Sequence, residues 1–391
     1  MARILIIAYT NYFTDGRVKR HAEALAERGD STDVLCLASN LWGETNGVNV
    51  IGLEIPRYRG SSRTRYLRSY LRFFALASRK AIQLSRSARY DVVIVCTMPD
   101  AAVLCALGPR LMGSKILLDI HDTMPELYRD KFGGRRGDLG ARLLLAQERA
   151  SASIATRVLA VHELHRDRLV AAGIPKQKIS VVMNVPDTRT FSPPHNSHHA
   201  NGSFVVVCHG TLTRRLGLDT AVVAASMLRR RIPGFRLRVI GGGDYLDEGR
   251  RLARYLELDN HVEFVPTVPI SELPLLLSQA DIGIVPNHAS SATHLMLPVK
   301  LLEYATLEIP IIAARLRTIE HYFDSRSVRF FSPENPAALA EAIEDLYRDP
   351  GQRVRMAQRA RTIAHELSWE RQRRELYAAV DSLIARDVLP N

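Results

Sequence analysis

The chain has 391 residues, 46% of them hydrophobic, and a formal net charge of +12. That apolar content suits a sizeable buried core rather than a disordered chain, and the length suggests two domains, with room for a third. No run approaches the ~18 apolar residues of a membrane span, and the positive charge comes with no zinc-ligand spacing and no aromatic RNA-binding pattern, so nucleic acid is not the expected partner.

The first apolar run, in "MARILIIAYTNYF", is too short for a signal peptide and has no small-residue cleavage site, so it reads as a strand over 3–9. A helix with a closing glycine follows at 16–29, and a second strand at 31–38. Residues 57–90 carry basic side chains throughout and no acidic one. Read as a helix, this stretch interleaves Leu67, Leu71, Phe74 and Ala77 or Ser78 with arginines. It is either a surface helix with one core face, or a basic amphipathic helix that lies on an anionic membrane or grips an anionic substrate.

Strands are next expected at 90–97 and 115–122, with a helix between them, then at 158–162 and 178–184, with a helix at 163–172. Val/Ile/Leu strands alternating with helices indicate a parallel sheet covered on both faces. Residues 186–202 are rich in proline and polar residues and read as a linker, in which His195, His198 and His199 are expected to be solvated. The pattern then repeats. Strands are expected at 203–210, 235–244, 261–268, 281–287 and 309–314, and helices at 219–231, 245–259, 271–280, 299–307, 335–349 and 368–386, with Ser271 as an N-cap. The domains expected are 1–185 and 203–367, with 368–391 returning to the first. The fold class is α/β: two Rossmann-like, doubly wound domains facing a cleft, with ligands beyond the carboxyl ends of the strands.

Candidate sites fall at those ends. Asp15, Gly16 and Arg17 open the first helix, where free amides suit a phosphate and Asp15 alternatively serves as an N-cap. "LDIHDTMPEL" gathers Asp119, His121, Asp122 and Glu126 after a strand. In "HGTLTRRLGLD", Gly210 permits close backbone approach, and Arg214 and Arg215 suit a diphosphate. In "LPVKLLEY", Pro298 starts a helix that carries Lys300 and Glu303 on one face, for phosphate and ribose. No G-x-G-x-x-G, Walker A or Asp-x-Asp sequence is present, which argues against a nicotinamide or flavin enzyme and against a required metal. Cys36, Cys96, Cys105 and Cys208 lack metal-ligand spacing and read as free thiols in a reducing cytoplasm.

In this order the pieces resemble the GT-B glycosyltransferases, specifically the large retaining family four. The likeness runs almost end to end, through "NVPDTRTFSP", "HGTLTRRLGLDTAV", "RVIGGGD", "VEFVPTVPISELPLLLSQADIGIVP", "LPVKLLEYATLEIPIIAA" and "SWE". It implies transfer of a sugar, with retention, from a UDP- or GDP-linked donor to an unidentified acceptor, in envelope glycan or natural-product synthesis. A sugar-nucleotide 2-epimerase shares the architecture and is the alternative.

By resemblance, Gly210, Thr211, Arg214, Arg215 and Lys300 border the diphosphate. Gly242, Gly243 and Asp244 line the nucleotide side, Val265, Pro266, Thr267 and Val268 pass beside the base, and Leu297, Pro298 and Glu303 complete the donor end. Asp15, Gly16 and Arg17 approach the diphosphate from the first domain. His121 touches the transferred sugar, and Asp122 and Glu126 face the acceptor. His121, Arg215 and Lys300 would carry the catalysis. The protein is expected in the cytoplasm, with peripheral contact on the inner face of the membrane through the helix of Arg57–Arg89. The chain departs from the family at Leu295, where a glutamate is usual, and at Thr211 and Leu216, where a basic pair is usual.

Overall fold

The computed structural model describes residues 1–38, 43–55, 63–192 and 202–384. The chain divides into two compact units: Met1–Asn184 with Gln372–Asn391, and Val185–Arg371. His195, His198 and His199 and the stretch 57–62 lie outside the described residues.

Unit 1 contains strands β1 (Arg3–Ala8), β2 (Ser31–Leu37), β3 (Gly43–Thr45), β4 (Val48–Leu53), β5 (Val92–Cys96), β6 (Lys115–Asp119), β7 (Arg157–Ala160) and β8 (Ile179–Val181). They form one sheet in the order β3-β4-β2-β1-β5-β6-β7-β8, parallel except for the β3–β4 pair. Helices α1 (Gly16–Glu27), α2 (Arg63–Ser87), α3 (Leu107–Leu111), α4 (Met124–Phe132), α5 (Gly134–Ile154) and α6 (Glu163–Ala171) connect them, with a 3-10 segment at Asp100–Ala106. β1 is buried over five of its six residues because neighbours pair with both of its edges.

The β3–β4 hairpin and α5 are absent from the sequence expectation. α5 carries glycines at 134, 137 and 140, which lower helix propensity, and its packing against α4 offsets that cost. The apolar face of α2 also differs from expectation. Phe73, Ala77 and Ala81 are fully buried, whereas Leu67 and Leu71 are 60% and 57% exposed. The small alanines at i and i+4 let the helix approach the 3-10 segment, and this sets its rotation.

Unit 2 contains β9 (Phe204–Thr211), β10 (Phe235–Gly242), β11 (Val262–Val265), β12 (Ile282–Val285), β13 (Ile311–Ala314) and β14 (Val328–Phe331) in an all-parallel sheet ordered β11-β10-β9-β12-β13-β14. Its helices are α7 (Leu218–Leu228), α8 (Leu246–Tyr255), α9 (Leu273–Leu277), α10 (Val299–Thr306), α11 (Arg317–Tyr322), α12 (Pro336–Arg348) and α13 (Pro350–Glu366). α14 (Trp369–Ile384) contributes its residues from Gln372 onward to unit 1. There Gln372 Oε1 accepts from the Met183 amide at 2.9 Å, and the Tyr377 hydroxyl donates to the Ala24 carbonyl at 2.6 Å. Glu272, not Ser271, precedes α9, and no side chain caps that helix.

The fold class is therefore α/β with two doubly wound parallel sheets. In each sheet the strand order reverses beside the first strand, next to β5 in unit 1 and next to β12 in unit 2. Loops leaving the carboxyl ends of β1, β5, β9 and β12 diverge there and leave room for ligands.

Candidate active site

In unit 2 the site grows from the end of β9, where His209, Gly210 and Thr211 run alongside β10. Gly241 pairs with Gly210, and Gly242 with Thr211. Gly241 has φ +135°, and a Cβ there would overlap the Gly210 carbonyl oxygen, so only glycine fits. The Leu212 amide donates to the Gly242 carbonyl at 2.9 Å, which holds the two turns together and leaves Gly210, Thr211, Gly243 and Asp244 exposed. The Thr267 hydroxyl lies 3.4 Å from where a Cβ on Gly242 would sit. Pro266 and Thr267 are exposed and Val268 is half-buried.

Arg214 and Arg215 occupy a single exposed 3-10 turn, Arg214–Leu216. Gly217 ends it at φ +74°, packed so closely on the Pro286 carbonyl that no side chain would fit. The loop after β12 holds the turn as well. The His288 amide donates to the Arg215 carbonyl at 2.9 Å, and His288 Nε2 meets Asp219 Oδ1 at 2.9 Å. The hydrogen bond to Asp219 raises His288 above its ordinary pKa. Burial alone would raise Asp219, but the hydrogen bond from His288 outweighs it and lowers the carboxylate. Neither partner stood out in the sequence, because 69 residues separate them.

α10 closes the group. Pro298 is its N-cap residue, and the helix begins at Val299, where it was expected. Lys300 and Glu303 are both buried, at 9% and 7% exposure. Lys300 Cε lies 3.9 Å from where a Cβ on Gly210 would sit, so the ammonium stem runs beside the end of β9. Glu303 Oε2 lies 2.6 Å from His209 Nε2. The structure thus brings together Gly210, Lys300 and Glu303, and by the strand pairing Thr211, Gly242 and Thr267. Leu295 and Leu297 are half-buried in the segment leading to Pro298.

Unit 1 treats its candidates differently. Asp15 caps α1, accepting from the Arg17 and Val18 amides at 3.2 and 3.1 Å, and Gly16 is exposed. Arg17 was expected beside a diphosphate, but its guanidinium is 4% exposed and turned inward. It donates to both oxygens of Asp119, at 2.9 and 2.7 Å, and to the Val182 carbonyl at 3.0 Å. Burial opposes the Asp119 charge, yet Arg17 overrides it and holds that carboxyl well below the usual range. Burial pushes the neighbouring His21 down to about 3, so this imidazole is neutral.

Glu126, expected to face an acceptor, is likewise engaged internally. Arg168 grips its two oxygens at 2.8 and 2.9 Å and also pairs with Glu148. The charge that occupies each of these side chains comes from a distant strand or helix, beyond the reach of local pattern. His121 keeps a partly exposed ring, with Nε2 3.8 Å from the more exposed Asp122 carboxylate. Its amide donates to the Thr97 hydroxyl at 3.3 Å. Among the described residues no cluster of three or more His, Cys, Asp or Glu could hold a metal ion, and the four cysteines are buried and unpaired.

Residues 194–363 match the family model described as glycosyl transferases group 1, and residues 16–184 match that of a glycosyl transferase 4-like domain. The chain is 29% identical over 195 residues to a GDP-mannose-dependent alpha-(1-6)-phosphatidylinositol monomannoside mannosyltransferase of Mycolicibacterium smegmatis, covering 47% of this chain and 51% of that protein. It is 26% identical over 230 residues to the putative colanic acid biosynthesis glycosyltransferase WcaL of Escherichia coli, covering 58% and 56%. The chain therefore spans about half the length of these curated relatives. Among solved structures it resembles the sucrose-phosphate synthase of Thermosynechococcus elongatus, with TM-score 0.80, 18% identity and coverage of 99% and 100%. It also resembles Anabaena HepE in complex with UDP-glucose, with TM-score 0.73, 16% identity and coverage of 98% and 100%. At these identities the likeness concerns the fold, which is GT-B.

Proposed function

We propose that this chain, which belongs to the group 1 glycosyltransferases, transfers a sugar from a UDP- or GDP-linked donor to an acceptor, with retention. One observation carries the reading: Lys300 and Glu303, one helical turn apart, flank the glycine-bounded end of β9. A buried ammonium beside exposed backbone suits phosphate oxygens, and a carboxylate one turn on suits ribose hydroxyls. Arg214 and Arg215 supply exposed positive charge nearby in sequence.

The relatives support a nucleotide-sugar donor without selecting its base, since one is named for GDP-mannose and another binds UDP-glucose. The relatives cited above are transferases, which favours transfer over 2-epimerisation. In this reading negative charge grows on the departing diphosphate as the sugar becomes oxocarbenium-like. Lys300, Arg215 and the first amides of α10 stabilise that charge. Asp15, Gly16, His121 and Asp122 of unit 1 serve the sugar and acceptor side, with the acceptor drawn from envelope glycan or natural-product chemistry. Arg17 and Glu126 are left out, because each is already held by an internal partner.

A peripheral contact with an anionic membrane belongs to the same proposal. Leu67 and Leu71 project from α2 beside exposed Arg65, Arg68 and Arg72, and no acidic residue interrupts 57–90. Apolar side chains set among cations suit a lipid interface. We place the contact on the cytoplasmic face, where free cysteines persist as thiols. Among the described residues no helix is long and apolar enough to cross a membrane.

A thermal-shift screen against UDP, GDP and ADP tests the donor site, because a bound ligand raises stability with its affinity. UDP or GDP should raise the melting temperature, and Lys300→Ala should reduce the rise. No shift with any nucleotide would overturn the reading. Formation of an epimerised nucleotide sugar from donor alone would overturn transfer.

A further inference from the structure

Glu303 does not sit alone on α10. Its Oε2 is 2.6 Å from His209 Nε2, and His209 Nδ1 is 2.8 Å from the Tyr304 hydroxyl. His209 and Tyr304 are buried, at 3% and 0% exposure, with their rings edge-on at 4.9 Å. The Tyr304 hydroxyl also lies 3.2 Å from the Val207 carbonyl oxygen. This chain of polar groups joins two elements 94 residues apart.

Counting protons narrows its direction. Tyr304 has one hydroxyl proton and two acceptors in reach. If it donates to His209 Nδ1, the nearer one, the neutral imidazole carries its remaining proton on Nε2 and donates it to Glu303. If it donates to Val207, then Nδ1–H must donate to the tyrosine oxygen. Nε2 then meets Glu303 Oε2 at 2.6 Å either as a second N–H donor or as the acceptor of a carboxyl proton. The first arrangement places every proton with no extra one, and it points Nε2–H at Glu303. Burial holds the Tyr304 hydroxyl well above its ordinary pKa, so it keeps its proton throughout.

We propose that His209 is a positioning residue for the donor: it anchors one oxygen of Glu303, and thereby aims the other at the vicinal hydroxyls of the donor's ribose. The inference rests on the assignment of Glu303 to the ribose made above. No hydrogen-bond partner of Glu303 Oε1 is found among the described residues. A carboxylate buried this far without an anchoring donor would rotate outward or take up a proton. Tyr304 acts one step further back by orienting the imidazole. A hydrogen bond to an ionised oxygen restricts its geometry strongly enough to affect recognition.

Calorimetric titration of the full chain with UDP, GDP and their 2′,3′-dideoxy counterparts tests this. The readout is the ratio of affinities for the ribose and dideoxyribose forms, which a general structural defect would not move. His209→Leu should lower that ratio roughly tenfold while the dideoxy affinity stays constant. His209→Gln, whose side-chain amide can replace the Nε2–H donor, should retain most of it. Tyr304→Phe should fall between the two. A ratio lost in Glu303→Gln but unchanged in His209→Leu overturns the inference alone, as does an equal loss of both affinities in His209→Leu and His209→Gln. An unchanged ratio in Glu303→Gln overturns the ribose assignment and the inference with it, as does failure of the wild-type chain to bind either nucleotide.

Discussion

Arg17 and Asp119 form a buried two-point ion pair, with Nε–Oδ2 at 2.9 Å and Nη2–Oδ1 at 2.7 Å, and side-chain exposures of 4% and 0%. It ties the start of α1 to the end of β6. Breaking such a pair from one side strands the other charge in the interior. Arg17→Met should therefore cost roughly 3–5 kcal/mol of stability, measured by denaturant unfolding. Nucleotide affinity of the folded protein should stay unchanged. The opposite result, weakened nucleotide binding with stability intact, would return Arg17 to the donor site.

Asp100 is 1% exposed, and neither of its oxygens has a hydrogen-bond partner among the described residues. Burial, reinforced by Glu148, pushes this carboxyl up to about 7. The folded state then holds a proton that the unfolded chain releases near its ordinary value of ~4. Because the unfolded state binds fewer protons, stability should fall as pH rises from about 4 to about 7 and level off above that. Asp100→Asn, which mimics the neutral acid, should remove this part of the decline and be the more stable protein at pH 8. Melting temperature against pH for the two proteins decides it, and parallel curves would contradict the assignment.

Lys300→Ala and Arg215→Ala should each weaken UDP or GDP binding roughly 10–100-fold, the loss expected for a charge-assisted hydrogen bond. Turnover should fall as well, since the same cations meet the developing charge of the leaving group. Calorimetry with the diphosphate, beside steady-state kinetics, measures both. Unchanged values in both variants would refute the placement of the phosphates.

Leu67→Ser with Leu71→Ser should reduce co-sedimentation with vesicles containing anionic lipid, while leaving unfolding nearly unchanged, because these leucines are 60% and 57% exposed. Ala77→Ser on the buried face should do the reverse. Equal vesicle binding by wild type and the double leucine variant would exclude α2 as the contact.

Much of the fold was legible where one element makes its own pattern. The Val/Ile/Leu runs of β1, β5, β9 and β12 read as parallel strands because burial on both faces requires continuous apolar sequence. α5 and α13 were not legible. α13 buries only Met356, Ala357, Ala360 and Ala364 amid charged residues, and so narrow a stripe of mostly small side chains gives a weak periodic signal. The short β14, four residues long with one exposed, falls below what alternation can reveal.

The sequence by itself determined two wound sheets, the glycines at the ends of β9 and β10, and the pairing of Lys300 with Glu303 on one helical face. These follow from chain-local rules: strand period, helix period and turn chemistry. Only the tertiary structure decided which charged side chains are engaged internally. Arg17 finds Asp119 across 102 residues, Glu126 finds Arg168 across 42, and Glu303 finds His209 across 94. The reason is physical. A buried charge is satisfied by whichever partner the topology brings within about 3 Å, and sheet order sets that distance where sequence separation does not.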